Sequence, residues 1–505
     1  MDHGDLTARL RHAATTAPEH AALRWDGGQL TYRELDQRVD AAAAGLQARG
    51  VAPGDRVALV LGTSAAFVVA AYGTLRAGAV IVPLLPGLAP DELRHAIADS
   101  GARTAVVGPE RADDVAALRP QLPELVDLVV ADGDVPAGAT AFEDLLATAG
   151  TSAAVAVGDD AVGAIVYTSG TTGRPRGAVL TRANLAANQD QSLAGRFDVG
   201  PEDVVLLVLP LAHIYALNVG LGASVTAGAG MVLVDRFEPD RTLRAVADHG
   251  VTVVLGAPPM YVAWLESGHL DADAFASVRL AVSGAAALPV QVFERFREVS
   301  GIAIEEGYGL TEAGPSVASS SMADAPRAGS VGLPLPRVEV RLVDDEGNDV
   351  EPGDPGELWV RGPNVFAGYH GDPDASAAAL TPDGWLRTGD VATRDEDGFL
   401  YLVDRKKDLV IVNGFNVYPR EVERVLYEDE RVAQAAAFGV PHVLTGETVV
   451  AAVVPREGRS LDPDELVARC RGQLARYKCP TRIDVLEELP TTATGKIRRG
   501  ELRDA

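Results

Sequence analysis

From Val57 to about residue 330, short apolar runs alternate with alanine-rich, helix-forming stretches. Apolar runs of this length, with almost no polar positions, are typical of parallel strands that are buried on both faces. Their alternation with helices predicts βαβ units around a mostly parallel sheet. The runs predicted as strands are 57–61, 104–107, 164–167, 204–209, 251–255 and 278–282.

The pattern changes beyond residue 330, where turn signals such as Pro352-Gly353 and Asp397-Gly398 separate short runs. Frequent turns of this kind predict a β-rich subdomain. The last hundred residues return to α/β alternation. In that part, helices are predicted at 419–427 and 462–475, and strands at 433–440 and 449–454. The predicted fold class is therefore α/β, with βαβ subdomains and a β-rich subdomain in a large domain, followed by a small α+β domain.

The segment 204–234 contains no Asp, Glu, Lys or Arg and is long enough to raise the question of a membrane span. Pro210, His213, Asn218 and four glycines interrupt it. Because these residues divide the segment into a strand, a loop, a helix and a second strand, we expect part of an enzyme core and no transmembrane helix.

The net charge of the 505-residue chain is −26, and the whole imbalance lies upstream of residue 403, since residues 403–505 contain 17 acidic and 17 basic residues. A chain of this length exceeds what one core usually supports, so we predict a large domain, 1–403, and a small domain, 404–505. The acidic balance argues against a nucleic-acid partner. A neutral, locally basic small domain could supply cations to a polyanionic substrate, although the charge could also simply differ between domains.

We expect a cytoplasmic protein, because residues 1–30 contain no apolar core of a signal peptide and two cysteines are too few for a disulfide framework. The chain contains 41 arginines and only four lysines. A lysine that persists in such a chain points to a position where a compact ammonium suits better than a guanidinium. The four lysines are Lys406, Lys407, Lys478 and Lys496.

Directly after the predicted strand at 164–167, residues 167–177 read Tyr-Thr-Ser-Gly-Thr-Thr-Gly-Arg-Pro-Arg-Gly. Thr, Ser and Gly present backbone N–H groups and hydroxyls with few bulky side chains, which suits the wrapping of a phosphate chain. Because Arg-Pro-Arg-Gly follows Gly173, the spacing of a Walker A loop is absent and a P-loop NTPase is not predicted.

With six further motifs in order, the chain resembles the acyl- and aryl-CoA synthetases of the adenylate-forming superfamily over essentially its whole length. The motifs are Ser-Gly-Ala-Ala-Ala-Leu (283–288), Gly-Tyr-Gly-Leu-Thr-Glu (307–312), Gly-Trp-Leu-Arg-Thr-Gly-Asp (384–390), Asp-Arg-Lys-Lys-Asp (404–408), Gly-Phe-Asn-Val-Tyr-Pro (414–419) and Pro-Thr-Thr-Ala-Thr-Gly-Lys (490–496).

The resemblance implies an AMP-binding adenylation domain, a mobile lid domain and a two-step reaction. A carboxylic acid and ATP would form an acyl-adenylate and pyrophosphate, and the acyl group would then pass to the thiol of coenzyme A. The expected cofactors are ATP, Mg²⁺ and coenzyme A, and the expected partner is a small carboxylic acid. We expect a monomer or a homodimer.

The resemblance also assigns roles to the nucleotide-binding residues. Thr168 and Glu312 are implied to hold Mg²⁺, and Thr311 to donate to the α-phosphate. Tyr308 would stack on adenine, while Asp390 and Arg405 would bind the ribose. The remaining implied nucleotide contacts are Ser169, Gly170, Thr171, Thr172, Gly173 and Arg176 in the phosphate loop, and Gly284, Ala285, Ala286, Glu306, Gly307 and Gly309 around adenine.

Lys496 is implied to lie over the carboxylate and the α-phosphate, where an ammonium would offset the charge that develops during adenylation. Lys407 is implied to be the pivot of a hinge near 404–408, about which the small domain turns between the two half-reactions. After that rotation a glycine-containing segment would face the pantetheine arm. The residues implied to contact coenzyme A are Asn413, Gly414 and Phe415.

The acyl pocket is predicted around His213, which lies where the family places a residue beside the substrate carboxylate, although a core histidine is the alternative. Several small residues suggest an open apolar channel, and no Arg or Lys adjoins Tyr308 to bind a second carboxylate. A medium- or long-chain fatty acid is therefore favoured, and an aromatic acid also fits. The predicted pocket residues are His213, Tyr215, Gly220, Gly222, Ala223, Gly284 and Gly307.

Two departures from the family pattern stand out: Arg176 replaces a common lysine, and the turn at 441–446 lacks an aromatic residue. One alternative is an acyl-AMP ligase that loads an acyl carrier protein, but the absence of a long insertion after the hinge favours free coenzyme A. A non-catalytic sensor of acyl groups or nucleotides is disfavoured because Lys496, Glu312, Thr311 and Asp390 are all present.

Overall fold

The computed structural model describes residues 5–147, 152–153, 155–168, 175–406, 408–413, 415–442, 445–491 and 497–504. The α-helices are α1 (Leu6–Thr16), α2 (Tyr32–Ala48), α3 (Ala65–Arg76), α4 (Pro90–Ser100), α5 (Ala112–Leu118), α6 (Phe142–Leu146), α7 (Arg182–Ser192), α8 (Ala223–Ala227), α9 (Pro239–His249), α10 (Pro258–Ser267), α11 (Val290–Ser300), α12 (Pro373–Ala379), α13 (Pro419–Tyr427), α14 (Pro463–Gln473) and α15 (Arg499–Asp504).

The strands are β1 (Ala21–Trp25), β2 (Gly28–Thr31), β3 (Arg56–Val60), β4 (Val80–Leu84), β5 (Thr104–Val107), β6 (Asp127–Val130), β7 (Thr140–Ala141), β8 (Val162–Thr168), β9 (Arg176–Thr181), β10 (Val204–Leu207), β11 (Gly230–Leu233), β12 (Val253–Gly256), β13 (Leu280–Ser283), β14 (Ile304–Gly309), β15 (Ser316–Ser319), β16 (Leu333–Pro334), β17 (Glu339–Val343), β18 (Gly356–Arg361), β19 (Leu386–Arg394), β20 (Leu400–Arg405), β21 (Val410–Val412), β22 (Phe415–Val417), β23 (Val432–His442), β24 (Gly446–Pro455) and β25 (Arg482–Val485). A π-helix spans Tyr215–Gly222.

Two mostly parallel sheets form the large domain. One has nine strands in the order β16-β15-β14-β13-β12-β10-β11-β1-β2, and the other has seven in the order β7-β6-β5-β3-β4-β8-β9. Side chains of α2, α3 and α7 share one buried core with strands of both sheets, so helices fill the layer between the sheets. Separate cores lie under α9, α10 and α11 on the nine-stranded sheet and under α4 and α5 on the seven-stranded sheet.

A four-stranded antiparallel sheet, β17-β18-β19-β20, follows the two parallel sheets. Burial alternates along β18, as in a strand that has one face on a core. The small domain contains the sheet β22-β21-β24-β23, with β25 paired to β24, and α13 and α14 bury their apolar faces on its core. The predicted α/β class, the β-rich subdomain and the small α+β domain are all confirmed.

The predicted strands coincide with β3, β5, β8, β10, β12 and β13, and each has a buried, apolar interior. The segment 204–234 contains β10, the π-helix, α8 and β11, as predicted except that part of its helix has π geometry. Within the described ranges, no helix combines the length and the apolar character that crossing a membrane would require.

Candidate active site

The predicted adenine slot lies at the carboxyl ends of β13 and β14, which are parallel neighbours in the nine-stranded sheet. Ser283, the last residue of β13, is the register partner of Glu306 in β14. After Gly284 the chain reaches Ala285, whose φ of +69° lies in the left-handed region that alanine rarely adopts, and Ala286 is exposed. Ligands of open α/β sheets bind beyond the carboxyl ends of strands, so a strained turn at this edge fits a role in nucleotide binding.

The two glycines of β14 have different surroundings. A Cβ at Gly309 would lie 2.1 Å from the carbonyl oxygen of Pro315, so packing alone requires glycine there. A Cβ at Gly307 would lie 3.7 Å from the carbonyl oxygen of Ala318, an ordinary contact distance. Gly307 therefore leaves this side of the strand open to a flat group, whereas Gly309 closes a turn.

Three residues predicted from separate motifs are joined by a hydrogen bond and an ion pair. Tyr308 Oη donates to Asp390 Oδ2 at 2.6 Å, and Arg405 Nε lies 3.2 Å from Asp390 Oδ1. Asp390 and Arg405 are opposite each other in the antiparallel pair of β19 and β20. Burial, followed by the charge of Asp390, raises the pKa of Tyr308 well above its usual value, so the phenol stays a hydrogen-bond donor.

On the predicted phosphate side, Glu312 lies on the short 3₁₀-helix Thr311–Ala313 directly after β14. Tyr369 Oη donates to Glu312 Oε1 at 2.7 Å. Arg176, the first residue of β9, has its guanidinium carbon 5.8 Å from the centroid of the Tyr369 ring and its Nε 3.3 Å from Asp372 Oδ2. The predicted carboxylate and the predicted cation thus contact the same tyrosine.

Tyr369 is a functional candidate that sequence reasoning missed. It belongs to none of the motifs and lies 57 positions from Glu312 along the chain. Burial, followed by the charge of Glu312, raises its pKa above the usual tyrosine value, so it remains a neutral donor that fixes one oxygen of the carboxylate. An isolated bridge between Tyr369 and Ala178 of β9, flanked by backbone hydrogen bonds of Gly368 and His370 to the same strand, brings it here, and the sequence carries no signal for that pairing.

Thr168 ends β8, and its Oγ1 donates to the carbonyl oxygen of Arg176 at 3.5 Å. Among the residues described, no three His, Cys, Asp or Glu side chains are grouped so that they could hold a metal ion. Mg²⁺ usually takes only one or two carboxylates and completes its shell with water and substrate phosphates. Glu312 with Thr168 therefore fits Mg²⁺ that arrives with a nucleotide, where the ion would neutralise phosphate charge.

Some predicted site residues lie outside the described residues, and their roles stay predictions. They are Ser169, Gly170, Thr171, Thr172, Gly173, Lys407, Gly414 and Lys496.

His213 and Tyr215 lie where the chain passes from β10 into the π-helix. The backbone N–H of Tyr215 donates to His213 Nδ1 at 3.3 Å. The ring of Tyr215 packs on Gly284, where a Cβ would lie 3.1 Å from its Cε1. The structure thus brings His213, Tyr215 and Gly284 to the edge of the sheet that also carries Gly307.

Gly220 and Gly222 of the π-helix and Ala223 at the start of α8 are closely packed in this structure and do not line the open channel that was predicted from their small size. A Cβ at Gly220 would lie 2.9 Å from Leu207 Cδ2 and 3.7 Å from Leu255 Cδ1. A Cβ at Gly222 would lie 2.3 Å from Gln189 Nε2, and Ala223 is fully buried. These positions are small because neighbouring side chains already fill the space.

The predicted coenzyme A residues lie on the small domain. Asn413 has a φ of +52°, and its N–H donates to the carbonyl oxygen of Thr445 at 2.9 Å. Phe415 is 57% exposed, and its ring centroid lies 5.0 Å from that of Tyr477. An exposed phenylalanine that packs on a half-buried tyrosine beside a left-handed turn offers a surface on which a ligand could pack.

Glu306 is 5% exposed, and its Oε2 accepts the N–H of Leu288 at 3.3 Å, while its Oε1 has no hydrogen-bond partner among the described residues. Burial raises the pKa of this carboxyl to about 7. Since the folded-state pKa lies above the ordinary value of 4.5, the stabilising effect of proton uptake is complete below pH 4.5 and is lost as the pH rises through 7. This shift in pKa corresponds to a loss of roughly 3 kcal/mol in the free energy of unfolding from the acidic to the alkaline end of that range.

Glu306→Gln should remove this pH dependence, because the amide keeps the shape and cannot ionise. We expect the variant to resemble the parent at pH 5 and to melt at a higher temperature than the parent at pH 8. Thermal unfolding from pH 4.5 to 8 measures the effect, with the exposed Glu294→Gln on α11 as the control for lost charge. If the melting temperatures of parent and Glu306→Gln change with pH in parallel, the buried carboxyl does not titrate in this range.

Comparison with known proteins agrees with this geometry. The family model described as AMP-binding enzyme matches residues 10–370, and the model of the AMP-binding enzyme C-terminal domain matches residues 421–496. The chain is 41% identical to a feruloyl-CoA synthase of an Amycolatopsis species, covering 97% of this chain and 96% of that one. It is 38% identical to a long-chain-fatty-acid–CoA ligase of Yersinia pestis, with coverage of 96% and 93%.

Among solved structures, ATP-bound MatB from Rhodopseudomonas palustris superposes with a TM-score of 0.93 at 33% identity, covering 100% of this chain and 99% of that one. Matches of this extent include both domains and every motif named above. The chain therefore belongs to the AMP-binding enzyme family and is an acid–thiol ligase.

Proposed function

We propose that this ligase activates a compact aromatic monocarboxylic acid as its acyl-adenylate and transfers the acyl group to coenzyme A. The observation that carries the choice of acid is Tyr215, which is buried and whose Oη has no hydrogen-bond partner among the described residues. An unpaired buried hydroxyl costs about 1–3 kcal/mol, so we expect a ligand group to pair with it. A hydroxyl on an aromatic acid supplies that group.

The size of the pocket supports the same choice. The ring of Tyr215 already lies on Gly284, and Leu207 and Leu255 fill the space beside Gly220. A flat ring between Tyr215 and the open face of Gly307 requires less rearrangement than a long alkyl chain. The relative with 41% identity is a feruloyl-CoA synthase, which is consistent with this proposal.

In the first step, a carboxylate oxygen attacks the α-phosphorus of ATP and the bond to pyrophosphate breaks. Arg176 and Lys496 supply positive charge, and Thr311 donates to the α-phosphate. Glu312, held by Tyr369, would hold Mg²⁺ together with Thr168, and the ion would offset phosphate charge. In the second step, the sulfur of coenzyme A attacks the acyl carbon and AMP leaves.

A medium- or long-chain fatty acid is the second candidate substrate. The side chains around Tyr215 are apolar, including Leu207, Leu209 and Leu255, and a relative with 38% identity is a long-chain-fatty-acid–CoA ligase. This candidate requires Leu207 or Leu255 to move away from Gly220, so that a chain can pass.

Product analysis tests the proposed function. The enzyme is incubated with ATP and Mg²⁺, with hydroxylated aromatic, unsubstituted aromatic and C8–C18 fatty acids, and with coenzyme A or an acyl carrier protein as acceptor. We expect AMP, pyrophosphate and an aryl-CoA thioester, with hydroxylated aromatic acids giving the highest kcat/KM. Release of ADP, or transfer to the carrier protein alone, would overturn the proposal, and higher kcat/KM for fatty acids would select the second candidate.

Tyr215→Phe should lower kcat/KM about tenfold for hydroxylated aromatic acids, because it removes one hydrogen bond in a buried site. The same variant should leave kcat/KM for unsubstituted aromatic acids within twofold of the parent. Steady-state kinetics with matched pairs of acids measure the difference. An equal loss for both kinds of acid would indicate that Tyr215 acts through packing and does not contact the acid hydroxyl.

A further inference from the structure

Helix α4 (Pro90–Ser100) lies against both residues that flank the predicted phosphate loop. Tyr167 precedes the loop near the end of β8, and its Oη donates to Asp99 Oδ2 at 2.6 Å. Pro175 follows the loop, and its carbonyl oxygen accepts the Nε2–H of His95 at 3.2 Å. His95 and Asp99 are one helical turn apart, so one face of α4 contacts both ends of the loop.

The two contacts are linked to each other. The rings of His95 and Tyr167 meet edge to face, with centroids 6.3 Å apart and planes at 77°. The aromatic ring that carries one bond therefore packs against the imidazole that makes the other. A neutral imidazole with its proton on Nε2 suffices for this geometry.

The helix that carries these side chains is firmly anchored. Leu93, Ala96 and Ile97 on its opposite face are buried in the core of the seven-stranded sheet. Arg56 donates from Nε to the carbonyl oxygen of Ser100 at 2.6 Å and fixes the last turn. Side chains on α4 can therefore hold the residues that they contact in a fixed position relative to the large domain.

The position of Asp99 is not explained by the stability of the helix. Asp99 lies in the last turn of α4, where a negative charge faces the negative end of the helix dipole and is unfavourable. Its carboxylate instead accepts a hydrogen bond from Tyr167 Oη. An acidic residue at this position indicates a role in holding the neighbouring strand end.

We propose that His95 and Asp99 are positioning residues that fix Tyr167 and Pro175 on either side of residues 168–174 of the predicted phosphate loop and thereby support binding of the β- and γ-phosphates of ATP. The proposal rests on the proposed function, because it requires that the predicted loop bind the phosphate chain. The β- and γ-phosphates are present only during adenylation. The acyl-adenylate that reacts with coenzyme A does not contain them, so loss of the positioning contacts should affect one half-reaction alone.

The test compares His95→Ala, His95→Gln and Tyr167→Phe in the full-length enzyme. We expect His95→Ala and Tyr167→Phe to raise the KM for ATP and lower the rate of pyrophosphate–ATP exchange, with an overall loss of about tenfold in kcat/KM. Thioester formation from a supplied acyl-AMP should stay within twofold of the parent. His95→Gln should recover most of the exchange activity, since its amide can donate to the carbonyl of Pro175.

Arg94→Ala on the same helix is the matched control, because within the described part of the chain Arg94 pairs with the exposed Asp91; exchange should be unchanged. Equal losses in both half-reactions, a melting temperature that falls with the activity, or no recovery in His95→Gln would overturn the proposal. So would normal exchange in both His95→Ala and Tyr167→Phe. If the parent itself shows no exchange with any acid, the proposed function fails, which is a separate outcome.

Discussion

Lys496→Ala should reduce acyl-AMP formation by about 100- to 1,000-fold while leaving thioester formation from a supplied acyl-AMP largely intact. During adenylation a carboxylate approaches a polyphosphate, so two anions must come together while a third departs. A positioned ammonium offsets that charge only in the transition state of this step. The half-reaction with coenzyme A creates no comparable charge at phosphorus, which is why the loss should be confined to the first step.

Described residues on both sides of Lys496 are anchored to the small domain. Thr491 and Ile497 form an antiparallel bridge, and the N–H of Arg498 donates to the carbonyl oxygen of Pro490 at 2.8 Å. The following residue, Arg499, binds the buried Glu423 at 2.7 Å. The chain on either side of residues 492–496 is thus fixed to the small domain.

Pyrophosphate–ATP exchange and single-turnover thioester formation measure the two half-reactions of Lys496→Ala. Arg498→Ala is the matched control, since Arg498 lies two positions away and pairs with the exposed Glu501 at 2.8 Å. Its exchange rate should remain near that of the parent. If Lys496→Ala keeps exchange within a few-fold of the parent, the catalytic role of Lys496 is wrong.

The architecture was predictable because the spacing and the composition of apolar residues along the chain depend directly on which positions are buried. A strand buried on both faces has few polar positions, and β3, β5 and β12 were found from that property alone. The π geometry of Tyr215–Gly222 was not predictable, since the same residues suit an α-helix equally well. A sequence shows which faces of a helix are apolar but does not show which carbonyl oxygen each backbone N–H bonds.

The candidate site was predictable where motifs carry several residues at fixed spacing. Tyr308, Asp390 and Arg405 were assigned from three motifs, and the structure joins them through a hydrogen bond and an ion pair. Tyr369 and His95 were missed because each makes a long-range contact that no motif of the sequence carries.

Glycines were the least predictable residues. A small side chain can leave room for a ligand or allow close packing of the protein itself, and the sequence is the same in both cases. At Gly307 the first explanation fits the structure, whereas at Gly220 and Gly309 the second does. Distances from a hypothetical Cβ separate the two cases, and only a three-dimensional structure provides them.

The contacts around residue 407 show where the chain passes from the large domain to the small one. Lys406 is bound to the large domain: its N–H donates to the carbonyl oxygen of Gly389, and its Nζ lies 2.8 Å from Asp345 and 3.2 Å from Glu357. Asp408 lies 3.7 Å from Arg499 of the small domain. The change from one set of partners to the other therefore takes place between residues 406 and 408.

Arg420, at the start of α13, makes hydrogen bonds across that point. Asp404 is 2% exposed, and its Oδ2 accepts the N–H of Arg420 at 3.0 Å. The carbonyl oxygen of Leu402 accepts a hydrogen bond from Arg420 Nη1 at 3.2 Å. Arg456 of the small domain also binds Glu266 of the large domain at 2.8 Å. Rotation of the small domain about residue 407 would have to break these contacts, so each stabilises the arrangement seen here.

Lys407→Pro should therefore impair thioester formation by about 100-fold while adenylation stays within about threefold of the parent, because proline fixes φ near −65° and prevents the backbone change that rotation requires. Exchange and single-turnover thioester formation are measured on the same preparation. Lys407→Ala is the control, since it removes the ammonium and keeps the backbone free, and both of its half-reactions should proceed normally. Equal losses in the two half-reactions of Lys407→Pro, or a thioester defect in Lys407→Ala as large as in Lys407→Pro, would place the pivot elsewhere in the chain.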